Sequence, residues 1–253
     1  MNKKQIIKDF ISKGIVVIPQ YMTQDYCTSL INEMDEIKEK YPNKLVSQES
    51  ENTAGDFRFF KLENLSKNAN LFKYDSFIKD IINQYCKTKF SSLFVLGGIV
   101  EFLEDKTNNS GGGWHRDSDE IQLKAMLYLT DVDSNNGPFL FIKKSNNYDL
   151  KRRNKPDKES RIAKLIRLIK KKKYQRTPRY EDHIIENEIN YDQIFEVKGK
   201  VGTLVLFDSS YIHRGKNIIE GRRYTITNYF FKEGIVSKFF KKRQFGKYFL
   251  PSA

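Results

Sequence analysis

Residues 202–230 read GTLVLFDSSYIHRGKNIIEGRRYTITNYF. Thr203–Phe207 is a short apolar run of the kind that forms a buried strand, and Arg223–Phe231 is long enough for a second. Between them a polar turn carries His213. Upstream, LFVLGGIVEFLE (93–104) reads as another buried strand, and QLKAMLYLT (122–130) alternates apolar and polar positions. Asp133–Pro138 is a strong turn signal leading into Phe139–Ile142, and Ile194–Val197 adds a further short strand. The body of the chain is therefore β-rich.

Towards the N-terminus the period changes. Residues 3–13 have helical spacing, Gly14 ends them, and Ile15–Ile18 is a β-branched run closed by Pro19. Thr23 is placed to cap a second helix that carries Leu30, Ile31, Met34 and Ile37 at helical intervals. Residues 41–70 are polar with few signals, and 71–88 read as one amphipathic helix with Phe72, Phe77, Ile81 and Tyr85 on one side. No internal repeat or Gly/Pro/Ser-rich linker divides the chain. The expected organisation over 1–253 is a single domain: a helical front (about 1–90), a β core (about 93–231), a basic insertion (about 145–192) and a basic C-terminal tail (232–253).

Composition narrows the class. At 253 residues with 39% hydrophobic and 13% aromatic content, the chain can bury a substantial core and is not intrinsically disordered. No apolar run approaches the ~20 residues of a membrane span. The first residues lack a signal peptide's apolar segment. Cys27 and Cys86 are the two cysteines, so neither a disulfide framework nor a thiolate zinc site is expected, and a reducing cytoplasm is the expected compartment. The net charge of +13 is concentrated: residues 151–179 hold 14 Lys/Arg against 2 Asp/Glu.

Among three histidines, His115 lies two residues before Asp117 in GGGWHRDSD, and extended residues i and i+2 share a face. His213 follows 98 residues later, beyond an apolar strand. Two imidazoles and one carboxylate make the facial triad of non-haem Fe(II) oxygenases, which leaves positions open for a bidentate organic acid and O2. Arg223 opens the final strand, and Thr225 shares its face. A guanidinium and a hydroxyl there can grip a carboxylate. His183 sits in an ordinary polar stretch and Asn217 in a turn, and neither is assigned a role.

Trp114-His115-Arg116-Asp117, Leu123–Ile142 with Asn136-Gly137, and 202–230 together resemble the phytanoyl-CoA dioxygenase family, as does GIVVIPQYMTQDYC (14–27). The resemblance implies a mainly β fold with flanking helices around a double-stranded β-helix (jelly-roll, cupin-like) core, here with a basic helical insertion. It implies a non-haem iron dioxygenase that uses Fe(II), 2-oxoglutarate as co-substrate and O2, and releases succinate and CO2. Carried over, His115, Asp117 and His213 are the metal ligands and catalytic centre. Arg223 binds 2-oxoglutarate with Thr225, Met126 walls its pocket, and Arg222 is the alternative by register. A retained carboxylate at Asp117 favours hydroxylation over halogenation, with desaturation and other oxidations left open. Lys124, Met126 and Tyr128 share a face; if it looks inward, Lys124 meets an anion, and if outward, solvent. Lys124, Trp114 and Arg214 are the candidate substrate residues. Lys144-Ser145-Asn146-Asn147 and Arg214 depart from the family pattern, which often has a histidine shortly after the turn strand and small residues right after the distal histidine.

Within 151–180, Ile162, Leu165, Ile166 and Ile169 repeat at helical spacing beside Arg161, Lys164, Arg167 and Lys171, a basic amphipathic helix. It reads as a solvated face, as a lid that guides an anionic substrate, or as a peripheral contact with an anionic membrane. Nucleic acid is disfavoured because no recognition motif accompanies the charge. The expected substrate is a small-molecule or lipid-linked anionic metabolite. The rival class is a non-catalytic β-helix protein that binds membrane or nucleic acid through 151–179.

Overall fold

The structure, a computed structural model, describes residues 2–47, 55–104, 113–147, 150, 178–233 and 249–251. The expected basic helix within 151–180, at Arg161–Lys171, and most of the tail lie outside these residues.

Helix α1 (Lys3–Lys13) starts where the Asn2 side chain accepts from Gln5 N at 2.9 Å. It ends at Gly14, φ +71°, whose N–H donates to Phe10 O. A side chain at 14 would be strained and would strike the Tyr211 ring, 2.5 Å from the Cβ position. Strand β1 (Ile15–Ile18) follows, and the Thr23 hydroxyl caps α2 (Gln24–Lys40), which buries Cys27, Leu30, Met34 and Ile37. The quiet region holds β2 (Val46–Ser47) and β3 (Gly55–Phe60). The single helix expected over 71–88 is instead two, α3 (Lys67–Lys73) and α4 (Ser76–Cys86). Asp75 divides them: its carboxylate accepts the Ile78 N–H at 2.9 Å and starts a new helix.

The remaining elements are β4 (Phe90–Glu101), β5 (Leu123–Tyr128), β6 (Phe139–Ile142), α5 (Asp182–Glu188), β7 (Ile194–Val197), β8 (Leu204–Asp208), β9 (His213–Gly215) and β10 (Arg222–Lys232). They form two antiparallel sheets, ordered β1-β8-β5-β10-β4-β3-β2 and β7-β6-β9.

Alternation separates the faces of the larger sheet. Leu123, Ala125 and Leu127 of β5, with Leu204, Leu206 and Ile226, pack against Phe10, Leu30, Met34, Phe72 and Ile81 of the helices. On the other face Tyr128, Val205 and Phe207 meet Phe139, Phe141 and Val197 of the smaller sheet. The outer side of the smaller sheet, Leu140 and Ile142, is covered by Ile185 and Ile189 together with Trp114. The tail returns at its end: Leu250 N donates to Phe60 O at 2.9 Å. This is the expected mainly antiparallel fold with flanking helices and a two-sheet jelly-roll core. No helix among the described residues is long and apolar enough to cross a membrane.

Candidate metal centre

His115 lies between β4 and β5, and His213 opens β9 on the facing sheet. Their backbones pair directly: His115 N donates to His213 O at 3.0 Å, and His213 N donates to His115 O at 2.9 Å. The turn after β8 places the third group, since Asp117 N donates to Ser209 O at 3.0 Å. Asp208 braces that turn by accepting from Ser210 N, Gln122 N and Tyr85 hydroxyl. The donor atoms of His115, Asp117 and His213 fall within 4.8 Å of one another. His115 Nε2 is 3.8 Å from Asp117 Oδ1, and His213 Nε2 is 3.7 Å from Asp117 Oδ2.

Both imidazoles are prepared as ligands. His115 Nδ1 lies 2.9 Å from Gly113 O and His213 Nδ1 lies 2.8 Å from Tyr211 O. A carbonyl only accepts, so each Nδ1 carries the proton and each Nε2 turns a bare lone pair to the cavity. Burial lowers the pKa of both rings, that of His213 to about 3, with the neighbouring His115 adding to the effect. Burial would raise the Asp117 pKa, but Lys124 and the two imidazoles outweigh it and hold the carboxyl below its ordinary range. Two neutral imidazoles and a carboxylate are the donor set of a borderline first-row transition-metal dication with open positions.

The centre opens into a cavity of about 320 Å³ between the sheets. The inward-facing residues of β5 are Lys124, Met126 and Tyr128, and those of β10 include Arg223, Thr225 and Tyr229. Arg223 is half-buried, and its Nε is a buried atom with no hydrogen-bond partner among the described residues. A buried guanidinium nitrogen left without a hydrogen-bond partner is costly. Around it the wall is cut away: a Cβ at Gly98 would sit 3.1 Å from Thr225 Oγ1, and one at Gly215 would sit 3.8 Å from Arg223 Nη2. An orphaned guanidinium nitrogen beside a glycine-lined recess fits a carboxylate, as 2-oxoglutarate would present. Arg222 points elsewhere: its Nε pairs with Glu101 at 3.0 Å and its Nη1 donates to Tyr224 hydroxyl at 3.1 Å.

Trp114 and Arg214 do not line the cavity. Trp114 is 3% exposed in the core outside the smaller sheet, and Arg214 covers its ring at 4.7 Å while donating to Asp182 at 2.9 Å. Strand alternation explains this, because Arg214 and His213 face opposite ways. Within Lys144–Asn147, Ser145 is fully buried and structural: its hydroxyl accepts from Ile212 N at 2.7 Å and donates to Ile142 O at 2.7 Å. Asp56, Arg58 and Arg179 line the cavity without having been singled out from the sequence. For the first two, the alternation Asp56-Phe57-Arg58-Phe59 was the signal. Arg179 had none, since its place depends on a bridge to His115.

The profile of the family described as Phytanoyl-CoA dioxygenase (PhyH) matches residues 10–221. No curated protein matches the chain. Among solved structures, the epimerase SnoN from nogalamycin biosynthesis, in complex with Fe3+, α-ketoglutarate and nogalamycin RO, is 12% identical with a TM-score of 0.65, covering 91% of this chain and 83% of that one. HygX from Streptomyces hygroscopicus, with nickel and 2-oxoglutarate bound, is 13% identical with a TM-score of 0.63, covering 91% and 87%. The carbocyclase SnoK, also from nogalamycin biosynthesis, is 12% identical with a TM-score of 0.65, covering 94% and 90%.

Proposed function

The chain belongs to the phytanoyl-CoA dioxygenase family of non-haem iron, 2-oxoglutarate-dependent enzymes, and from that premise we propose that it hydroxylates a small or lipid-linked metabolite carrying negative charge, with release of succinate and CO2. The observation that carries this is the convergence of His115, Asp117 and His213 beside a buried, unpartnered Arg223 nitrogen. Iron bound there supplies activation of O2 coupled to oxidative decarboxylation of the 2-oxo acid.

The protein's own residues do the positioning. His115 and His213 offer Nε2 because Gly113 and Tyr211 carbonyls hold the opposite protons. Arg223 and Thr225 anchor the distal carboxylate of the co-substrate, and Met126 and Tyr128 wall it. Tyr128 is itself fixed, donating to Val197 O at 2.9 Å and accepting from Phe139 N at 3.2 Å. Phe139 and Phe207 lie against His213, with ring centroids 5.5 and 5.6 Å away, and keep the apolar side of the centre dry. Among the described lining residues, four cationic side chains against two carboxylates support an anionic substrate, and the basic segment 151–179 would gather such a molecule or an anionic membrane surface.

The test is succinate formation from 2-oxoglutarate with Fe(II) and O2. Wild type should form it and His115→Ala should not; an iron-loaded wild type that forms none would leave the binding-protein reading in its place. Co-sedimentation with anionic against neutral vesicles checks the membrane contact, which equal binding to both would exclude.

A further inference from the structure

Asp117 differs from the two histidines of the triad in how its side chain is held. Each imidazole is oriented by a backbone carbonyl at Nδ1, whereas the Asp117 carboxylate is met by a cation: the Lys124 ammonium touches Oδ2. That oxygen has no further hydrogen-bond partner among the described residues. Its fellow, Oδ1, faces His115 Nε2 at 3.8 Å. The backbone of Asp117 is fixed by Ser209 O, so the rotation of its carboxylate is left to Lys124.

Lys124 is itself held from both sides. Its cross-strand neighbours are Phe207 on β8 and Tyr229 on β10, and Phe94 of β4 stacks on Tyr229 with ring centroids 4.7 Å apart. The ammonium lies 4.5 Å from the centre of the Tyr229 ring and 5.8 Å from that of Phe207, and it donates to the Tyr229 hydroxyl. A row of four side chains on four strands thus fixes one cation at one carboxylate oxygen. Lys124 also acts electrostatically on both imidazoles, which places its charge beside the metal position. There it opposes a divalent ion by Coulomb's law, so metal affinity does not account for it. Geometry does. A carboxylate can bind a metal through one oxygen or through both. Two imidazoles, a chelating carboxylate and a bidentate 2-oxo acid would fill an octahedral ion and leave no place for O2.

Resting on the oxygenase reading, we propose that Lys124 is a positioning residue: it occupies Asp117 Oδ2 so that the triad binds its metal through Oδ1 alone, which keeps one metal position free for O2. Tyr229 acts one step further out, by orienting the ammonium through its hydroxyl and ring.

The experiment loads the full chain anaerobically with Fe(II) and saturating 2-oxoglutarate and titrates it with nitric oxide, reading the iron–nitrosyl signal by electron paramagnetic resonance. Nitric oxide stands in for O2 and is uncharged, so removing the Lys124 charge does not in itself change its attraction to the site. Wild type should take it up at the iron. Lys124→Met, which keeps the length of the side chain, should bind nitric oxide about tenfold more weakly or worse. The same variant should hold iron as tightly as wild type or more tightly, because a repelling charge has gone. Tyr229→Phe, which removes only the hydroxyl, should weaken nitric oxide by about threefold, and it carries the test if Lys124→Met does not fold. The proposal is overturned if either folded variant binds nitric oxide as wild type does, or if Lys124→Met loses iron affinity by about tenfold, since the ammonium would then support the metal rather than restrict the carboxylate. It is also overturned if wild type holds iron and 2-oxoglutarate but takes up no nitric oxide. A wild type that binds no iron or no 2-oxoglutarate strikes the oxygenase reading instead, and the role of Lys124 falls with it.

Discussion

Leu123, Ala125 and Leu127 alternate along β5 with Lys124, Met126 and Tyr128, and the two sets occupy different media. The first set has no exposed surface and lies in an apolar core closed by four helices, α1 to α4. The second lines a charged cavity that faces the candidate metal-ligand triad. One residue of displacement therefore separates what holds the protein together from what performs its chemistry. The lesson is that register carries the function: a one-residue slip would bury Lys124 among leucines and present Leu123 and Leu127 to the metal.

That contrast can be broken from either side. On the cavity face, His115→Ala should reduce metal-dependent succinate formation by ~100-fold or more while leaving the thermal midpoint nearly unchanged. A variant that melts early instead would mean the triad is structural. On the helix face the effects should reverse. Leu127→Ala, a fully buried truncation, should cost about 2–5 kcal/mol in denaturant unfolding while the folded fraction keeps its affinity for 2-oxoglutarate. A loss of affinity without a loss of stability would contradict the separation of faces.

Smaller changes sharpen the comparison along β10. Arg223→Met should raise the KM for 2-oxoglutarate by about 10–100-fold, the worth of a buried charge-assisted pair, with Arg222→Met staying within about twofold because its exposed pair with Glu101 contributes little. Equal effects at the two positions would return the register question to where the sequence left it. Thr225→Val removes one neutral hydroxyl and should raise the same KM by about fivefold, roughly 1 kcal/mol.

Much of this was legible in the chain. The alternation of β5, the cap at Thr23, and the His115–Asp117 pair all depend on neighbours within a few residues, so local pattern reveals them. The division of 71–88 at Asp75 was also local, but a carboxylate in an amphipathic run reads equally well as a solvated side chain. Strand β3 was hidden because Asp56 and Arg58 look like surface charges until β4 is placed beside them, with Val100 opposite Asp56 and Gly98 opposite Arg58. Trp114 and Arg214, adjacent in sequence to ligands, turned to the far side of the smaller sheet because strand neighbours point opposite ways.

The choice of donors and the strand period that gives each its face were decided by the amino-acid order alone, since each follows from side-chain type and short-range geometry. Tertiary structure decided which arginine enters the cavity, that His115 and His213 share a pair of backbone hydrogen bonds, and that Lys124 and Arg179 stand by the same imidazole. Those are facts about residues tens of positions apart. Only the pairing of β10 with β4 and β5, and the closure of one sheet over the other, brings them within reach.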